Sequence, residues 1–351
     1  MKDCDRDRRR LLRLLVAAPA AAAAAVGAAA VGAARAAGKS GAAGAAAIPG
    51  PAPSPRSAPA RAVVARGRRD GLLDESGAID RARLDDLLGA VVARAAATAT
   101  PVAAMKRLFR PSDVVGLKVN ALAGGGPAPT PALVGRLCDW LQEAGVPARN
   151  IVVFDRTDRE LTGAGFTINR GPTGVRCFGT NQEYDWTPRE WGPGGSCFAK
   201  ILVDDITALI NVGALKDHDL AGVSVGLKNW YGVIHNPNKH HDDGCQPFIP
   251  HLAAYPLIGD RLRLTVIDGT RAQCHGGPAR SPRWIWPWQG VIASTDPVAV
   301  DAVGWAMIET RRREVGLPSL AASKREPRYI ATAASLGLGV ADMKKIAIEE
   351  I

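Results

Sequence analysis

The sequence predicts an α/β fold with a mostly parallel sheet layered with helices. Three consecutive segments carry this prediction. Residues 114–119 alternate as a strand does, residues 131–145 place apolar side chains on one helical stripe, and residues 151–154 form the short apolar run of a buried parallel strand. Two parallel strands joined by a helix make a right-handed crossover unit, so we expect Rossmann-like units within a single main domain.

The remaining elements continue this alternation, and capping residues mark the helix starts. Asp80, Thr130 and Asp296 each precede a predicted helix, and Pro131 takes the first helical position after Thr130. The further predicted elements are helices over residues 81–97, 296–312 and 328–336 and strands at residues 208–212, 262–267 and 345–348. Strands that alternate with helices favour a layered α/β sheet.

The first 37 residues have the layout of a twin-arginine signal peptide. Arg8 and Arg9 precede an apolar pair and the base Arg13, an alanine-rich uncharged stretch follows, and residues 34–36 offer a small-x-small cleavage site. The alternative is an uncleaved membrane anchor, which the weak hydrophobicity of alanine disfavours. We expect the twin-arginine export machinery as a partner, a periplasmic or extracellular location, and membrane attachment only through an uncleaved leader.

Residues 38–70 are expected to form a flexible linker. Most of this segment is Gly, Ala, Pro and Ser, which cannot bury a core. The α/β domain is accordingly predicted over residues 71–351.

Most of the net charge of +10 lies outside that predicted domain. Residues 1–37 carry +4 and residues 38–70 carry +5, which leaves +1 for the remainder. A nearly neutral domain has no net field to attract a phosphate backbone, so we expect no nucleic-acid partner.

The cysteines exclude two kinds of metal centre. None of the six lies in a Cys-x-x-Cys pair, so the chain has no zinc-ribbon motif and no ferredoxin-type iron–sulfur motif. Their disulfide pairing cannot be assigned from the sequence. The absence of a Gly-x-Ser-x-Gly elbow and of a His-Glu-x-x-His helix argues against common serine hydrolases and zincins.

Polar side chains cluster where the predicted strands end. They are Lys118, Asn120, Asp155, Asn211, Lys216 and Asp268. Open parallel sheets bind ligands outside the carboxyl ends of their strands, so this edge is the predicted site. The alternative is that these polar residues simply begin loops.

Four sequence blocks carry a resemblance to a known family. They are GLKVN at 116–120, INVGALKDH at 210–218, GLKNWYGVI at 226–234 followed by Asn236 and Pro237, and DPVAVD at 296–301. In this order they resemble the signature blocks of the domain-of-unknown-function 362 family. The resemblance implies a bacterial or archaeal family with no established reaction. Some of its members carry ferredoxin-like cysteine runs, which this sequence lacks.

Lysines in these blocks are candidates for catalysis and anion binding. Lys216, His218, Lys228 and Asn229 are the predicted catalytic residues, and a lysine held among apolar neighbours suits a base, a Schiff-base nucleophile or an anion clamp. Gly226 and Gly232 would let backbone approach a ligand closely. The predicted anion- or substrate-binding residues are Lys118, Asn120, Asp155, Asp268 and Asp301, with one of the lysines a plausible partner for a buried Asp301.

Histidines concentrate in the stretch that follows. His240, His241 and Cys245 are compact enough to supply ligands to a transition metal, the one cofactor this pattern suggests. The alternative is a polar loop whose histidines bond backbone or water. Gly124–Gly126 before Pro131 is a weak signal for a phosphate seat, and a mobile turn is the alternative.

Trp284, Trp286 and Trp288 alternate and would share one face of an extended segment. They predict either a stacking or partner surface or a loop packed over the core.

The sequence therefore favours an exported metal- or cofactor-dependent enzyme that acts on an anionic small molecule at the strand ends. The alternatives are a non-catalytic periplasmic binding protein for an anionic solute and an interaction module that uses the tryptophan segment.

Overall fold

The computed structural model describes residues 59–181 and 183–351. The predicted signal peptide and the linker residues before 59 lie outside the described residues. The strands of the described part are β1 (Ala62–Arg68), β2 (Val115–Val119), β3 (Ile151–Asp155), β4 (Arg176–Gly179), β5 (Tyr184–Trp191), β6 (Gly194–Ala199), β7 (Ala208–His218), β8 (Gly222–Ser224), β9 (Leu262–Gln273), β10 (Ile285–Trp286), β11 (Gly290–Ser294) and β12 (Ile346–Glu350).

The helices of the described residues fall between these strands. They are α1 (Arg81–Ala95), α2 (Pro101–Leu108), α3 (Pro131–Glu143), α4 (Asp158–Gly163), α5 (Lys200–Asp204), α6 (Phe248–Ala254), α7 (Pro256–Gly259), α8 (Pro297–Glu314) and α9 (Tyr329–Ser335). Short 3-10 helices cover Ala148–Asn150, Leu227–Val233, Pro237–His240, Asp242–Cys245, Pro282–Trp284 and Met343–Lys345.

Ten of these strands form one mixed, mostly parallel sheet, as predicted. Its main order is β12-β1-β11-β9-β7-β2-β3-β4, with β8 paired to β7 and β10 paired to β9, while β5 and β6 form a separate hairpin. Along the main path only β11 runs against its neighbours among the described strands. The α/β fold with one main domain is confirmed.

The predicted caps are confirmed at three helices. The side chain of Asp80 accepts a hydrogen bond from the Arg83 amide, and that of Thr130 accepts one from the Leu133 amide. Asp296 accepts from two amides of the first turn of α8. Each cap satisfies backbone donors that the first helical turn leaves without partners.

Two apolar cores cover the two faces of the sheet. Helices α1, α2 and α3 pack on one face over Val115, Leu117 and Ile151, and α6, α8 and α9 pack on the other. Because side chains alternate along a strand, Lys118 on β2 points away from Leu117 toward the second face. That second face holds the site described below.

Three boundaries differ from the prediction. Residues 62–68, assigned to the linker, form β1, which pairs with β11 and β12 inside the sheet. Strand β7 continues to His218, and all eleven of its residues are buried, so Lys216 lies on a strand. Strand β9 continues to Gln273, so Asp268 lies within a strand instead of at its end.

Among the residues that the structure describes, no helix combines the length and the apolar character that crossing a membrane requires.

Candidate functional site

A polar row on the second face of the sheet underlies the site. Lys118 on β2 and Asn211 on β7 are register partners, so their side chains share a face, and Asp155 ends the neighbouring strand β3. The row lies where parallel strands end, which is where open α/β sheets bind ligands.

Lys118 and Asp155 form a buried ion pair in this row. The distance from Lys118 Nζ to Asp155 Oδ1 is 2.7 Å. The ammonium also donates to the Val119 carbonyl (2.7 Å) and to Asn229 Oδ1 (2.8 Å), and Asp155 accepts from the Ala121 amide (2.7 Å). All three ammonium hydrogens of Lys118 have acceptors. Both residues were predicted to bind anions. They line the site instead, and because their charges pair with each other, neither charge is available to a ligand.

The 3-10 helix Leu227–Val233, which we call the lysine turn, packs onto this row. Asp301 on α8 accepts hydrogen bonds from the Gly226 amide (2.8 Å) and the Leu227 amide (3.2 Å). The Tyr329 hydroxyl donates to its other oxygen (3.1 Å). The prediction that a lysine pairs with Asp301 is wrong, because backbone amides and a phenol surround the Asp301 carboxylate. Burial raises the pKa of Asp301 to about 7.

Asn229 ties the lysine turn to the sheet. Its Nδ2 donates to the Lys118 carbonyl (3.0 Å) and to Asn211 Oδ1 (2.8 Å), while its Oδ1 accepts from the Lys118 ammonium. Asn211 in turn donates to the Gly226 carbonyl (2.9 Å). These contacts make Asn229 a positioning residue instead of the catalytic one that the sequence predicts.

Gly232 permits the close packing of the turn on the ion pair. A Cβ at this position would lie 2.6 Å from Lys118 Nζ and 2.9 Å from Asp155 Oδ1. The glycine is thus needed for close contact within the protein, in addition to the approach to a ligand that its position in the sequence suggests.

Lys228 projects from the lysine turn into a cavity. Its ammonium lies 3.6 Å from the centre of the Tyr231 ring and 3.2 Å from His241 Nε2. Burial lowers the pKa of Lys228 to about 8. No carboxylate of the described residues forms an ion pair with it.

The hydrogen bonds of His241 fix its tautomer. Its Nδ1 faces the carbonyls of Pro237 (3.1 Å) and Asn238 (3.3 Å), which only accept, so Nδ1 carries a hydrogen. In the neutral ring Nε2 is then the acceptor for the Lys228 ammonium. Burial and the neighbouring Lys228 lower the pKa of His241, which favours this neutral form.

Lys216 is a second buried cation beside the cavity. Its Nζ donates to Asn120 Oδ1 (3.1 Å), and Asn120 Nδ2 donates to Ser224 Oγ (3.3 Å). Burial lowers the pKa of Lys216 to about 8, and within the described residues no ion pair reaches it. Asn120 thus separates this charge from the cavity that Asn120 itself lines.

His218 presents a hydrogen-bond donor at the same place. Its Nδ1 accepts from the amides of Leu220 (3.1 Å) and Ala221 (3.2 Å), so the hydrogen of the neutral ring is on Nε2. Burial and then the positive charge of Lys228 hold the pKa of His218 far below its usual range. Its ring stacks on His241 with centroids 5.9 Å apart.

The cavity that these residues enclose has a volume of about 280 Å³. It is lined by Lys118, Asn120, Leu122, Asp155, Arg156, Glu160, His218, Ser224, Lys228, Asn229, Tyr231, Gly232, Pro237, Asn238, His241 and Pro278. The rim residues Arg156 and Glu160 pair with each other. The structure therefore brings together most predicted site residues around a cavity whose unpaired charge is positive.

Asp268 lies apart from this cavity. It accepts from the Thr130 amide (2.8 Å) and from the amide and hydroxyl of Thr270 (2.8 and 2.7 Å). These bonds hold the loop before α3 against β9. These contacts are all within the protein, and none of them supports the predicted role of Asp268 in anion binding.

The predicted metal ligands do not converge. The His240 ring packs against Trp191 and Phe248, at 5.4 and 5.0 Å between centroids, whereas His241 turns toward Lys228. Cys245 is buried in the apolar core. Over residues 59–181 and 183–351, no three His, Cys, Asp or Glu side chains are grouped as a metal ion requires. The metal prediction is corrected accordingly.

Two residues that line the cavity are not predicted from the sequence. Tyr231 supplies the ring beneath Lys228, and its hydroxyl donates to the His240 carbonyl (2.6 Å). It is three residues from Lys228, and side chains at this spacing eclipse in a 3-10 helix, so the spacing was an available signal. Ser224, the partner of Asn120, carried no such signal.

The tryptophan segment lies elsewhere. Trp284, Trp286 and Trp288 are half-buried against the core, and the last two border a surface cleft of about 490 Å³. The charged residues of that cleft are paired as Arg66–Glu350, Arg68–Asp70 and Arg311–Glu314. This cleft is larger than the lysine-lined cavity, but it holds no unpaired buried charge and is the weaker candidate.

Comparison with known families gives one match. A family model described as a domain of unknown function (DUF362) matches residues 115–306. This range includes β2, the lysine turn and Asp301, and therefore the whole polar row. No curated protein and no solved structure matches the chain.

Proposed function

The chain belongs to the family described as a domain of unknown function (DUF362), and from its site we propose an enzyme that binds a small anionic organic molecule. Lys228 and His241 are the pair proposed to act on that molecule. The chemistry is acid–base or nucleophilic.

The observation that carries the proposal is the presence of two buried ammonium groups that form no ion pair with a carboxylate of the described residues. Lys216 is fully buried and Lys228 is 7% exposed. An unpaired buried charge costs several kcal/mol, so such groups are costly to the fold and are concentrated at functional sites. An anionic ligand would supply the missing negative charge.

One neutral and one charged donor complete the environment for an anion. The Nε2–H of His218 has no hydrogen-bond partner among the described residues, and the ammonium of Lys228 contacts only His241 there, so both can donate to a ligand oxygen. The cavity volume of about 280 Å³ lies just below the usual range for drug-sized ligands, which favours a short-chain molecule.

The contact between Lys228 and His241 favours an enzyme over a non-catalytic solute-binding protein. An anion clamp needs only the positive charge of a lysine. Here the ammonium faces a neutral imidazole nitrogen at 3.2 Å, which can remove its proton. A nucleophile, an adjacent base and groups that orient the base form the arrangement of covalent catalysis.

We predict that anion binding falls as pH rises through about 8. The groups facing Lys228 are His241, Tyr231, His218, Cys245 and Asp219. Lys228 and Lys216 hold their protons below about pH 8 and lose them above it. The affinity for lactate or phosphate, measured by calorimetry, should therefore drop at least about tenfold between pH 7 and pH 9.5.

Methionine variants test whether Lys216 and Lys228 are the residues responsible for anion binding. Lys216→Met and Lys228→Met keep most of the side-chain volume and should each lower the affinity by about tenfold or more. The free energy of unfolding should stay equal or rise, because a buried unpaired charge is removed. Lys239→Met, at an exposed lysine of the next turn, is the matched control and should bind as the native protein does. Binding unchanged in both buried variants would contradict the proposal.

We also propose that residues 1–37 direct export through the twin-arginine route. The support is the order of arginine pair, apolar stretch and cleavage site in the sequence. Changing both Arg8 and Arg9 to lysine should retain a full-length precursor in the cytoplasm, whereas Arg10→Lys should be exported and processed. Cell fractionation with immunoblotting measures both. Equal export of the two variants would contradict the proposal.

A further inference from the structure

Among the three lysines of the site, only Lys228 has the surroundings of a nucleophile. Lys118 has all three hydrogens occupied by acceptors, and its charge is paired with Asp155. Lys216 is fully buried behind Asn120. Lys228 lines the cavity, and among the described residues its only hydrogen-bond contact is His241 Nε2.

Burial of Lys228 makes its uncharged amine accessible near neutral pH. Burial is the main cause of its lowered pKa, whereas the face of the Tyr231 ring, 3.6 Å from the nitrogen, favours the ammonium form that binds an anion. A neutral amine near neutral pH has a lone pair available for attack on an electrophile.

His241 is held in the form that a base requires. Two backbone carbonyls fix its Nδ1–H, which leaves the lone pair of Nε2 directed at Lys228 Nζ. Backbone acceptors orient the ring without adding a negative charge. The ring can thus take the lysine proton and return it within one catalytic cycle.

We infer that Lys228 forms a covalent imine with the carbonyl carbon of a short-chain oxo acid. This inference rests on the proposed anion site, and it names the substrate class of that site. The carboxylate of the oxo acid accepts from the Nε2–H of His218 and is attracted by the Lys216 ammonium, which lies behind Asn120, while the carbonyl carbon meets the amine.

The reaction balances without a further reactant. His241 removes one proton from the Lys228 ammonium, and the freed lone pair forms a carbon–nitrogen bond as the carbonyl π electrons move to oxygen. The oxygen takes up one of the two protons that remain on the nitrogen, which gives a neutral carbinolamine. The nitrogen lone pair then expels the hydroxyl, which leaves as water with the proton carried by His241, and a protonated carbon–nitrogen double bond forms.

Reductive trapping on the native protein tests the imine directly. The protein is incubated with pyruvate and sodium cyanoborohydride, digested, and mapped by mass spectrometry. We expect one reduced adduct, on Lys228, at about one per chain. Exposed Lys239 reports background modification in the same digest, so no variant has to fold for the test to be decisive.

Further control experiments test whether the adduct depends on the carbonyl group, on Lys228 and on His241. Lactate, which lacks the carbonyl, should bind and give no adduct. Lys228→Arg should give no adduct, and His241→Gln should slow trapping at neutral pH and regain part of the rate at higher pH, as expected when a base is lost. Glyoxylate serves as a second, smaller carbonyl probe.

The failures of the two proposals are distinguishable. If pyruvate, glyoxylate and lactate bind with the predicted lysine dependence but no adduct appears on Lys228, the imine is overturned and the anion site stands. If labelling is spread equally over Lys228 and Lys239, the imine is likewise overturned. If no tested anion binds, both the imine and the proposed function are overturned.

Discussion

Replacing Asp155 with asparagine is expected to lower the free energy of unfolding by about 3–5 kcal/mol. The carboxylate is 6% exposed and lies 2.7 Å from the fully enclosed Lys118 ammonium. Removing its charge leaves that ammonium buried and uncompensated, and it places amide hydrogens among the donors that the carboxylate now accepts from. Urea unfolding followed by circular dichroism measures the loss.

The control for Asp155→Asn is the same substitution in an exposed pair. Asp243 lies 2.5 Å from Arg328, with both side chains more than half exposed. Asp243→Asn should change the free energy of unfolding by about 1 kcal/mol or less, because solvent screens such pairs. Equal effects of the two substitutions would contradict the assignment of the Lys118–Asp155 pair as a structural support.

Replacing Asp301 with alanine is expected to cost about 2–6 kcal/mol of stability, because two buried amides at the start of the lysine turn lose their acceptor. The Gly226 and Leu227 amides both depend on this carboxyl group. Asp301→Asn keeps an acceptor oxygen for them and should cost much less. Urea unfolding of the two variants at one pH gives the comparison, and similar losses in both would contradict the assigned hydrogen bonds.

The same pair of variants has a pH signature. Burial raises the pKa of Asp301 to about 7, from an ordinary value of 3.8. The folded protein therefore binds the proton more tightly than the unfolded chain, so this contribution to stability is full below about pH 4 and is lost as pH rises through about 7. Asp301→Asn should remove that part of the pH dependence. A profile unchanged by the substitution would contradict the titration of Asp301.

Local patterns were sufficient for the four predicted helices and for five of the twelve strands of the described residues. Helices α1, α3 and α8 start at the capping residues that the sequence indicates, and strands β2 and β3 fall within a residue of their predicted bounds. Strand β1 was missed because alanine and arginine continue the composition of the linker into it. What makes it a strand is its pairing with β11 and β12, more than 200 residues away along the chain.

The sequence predicted where the site lies better than it predicted what each of its residues does. Lys118 and Lys228 look equivalent in the sequence, since each follows Gly-Leu in a matching block. Their roles diverge because a carboxylate from another strand forms an ion pair with Lys118, whereas no carboxylate within residues 59–181 and 183–351 forms one with Lys228. His240 and His241 are adjacent, yet the end of a 3-10 helix directs their rings to opposite sides. Such differences depend on tertiary contacts, which residue spacing does not encode.

The pairing of β1 with β12 also bears on the order in which the domain assembles. Ala62 faces Ile346 across these parallel strands, so an early segment of the nascent chain must wait for one of the latest. Contacts this distant in sequence slow folding, because the entropy of closing the intervening loop is lost before the contact forms. This edge of the sheet is therefore completed only after β12 has left the ribosome. Until then, this edge of β1 lacks its pairing strand and is open to mispairing with other strands.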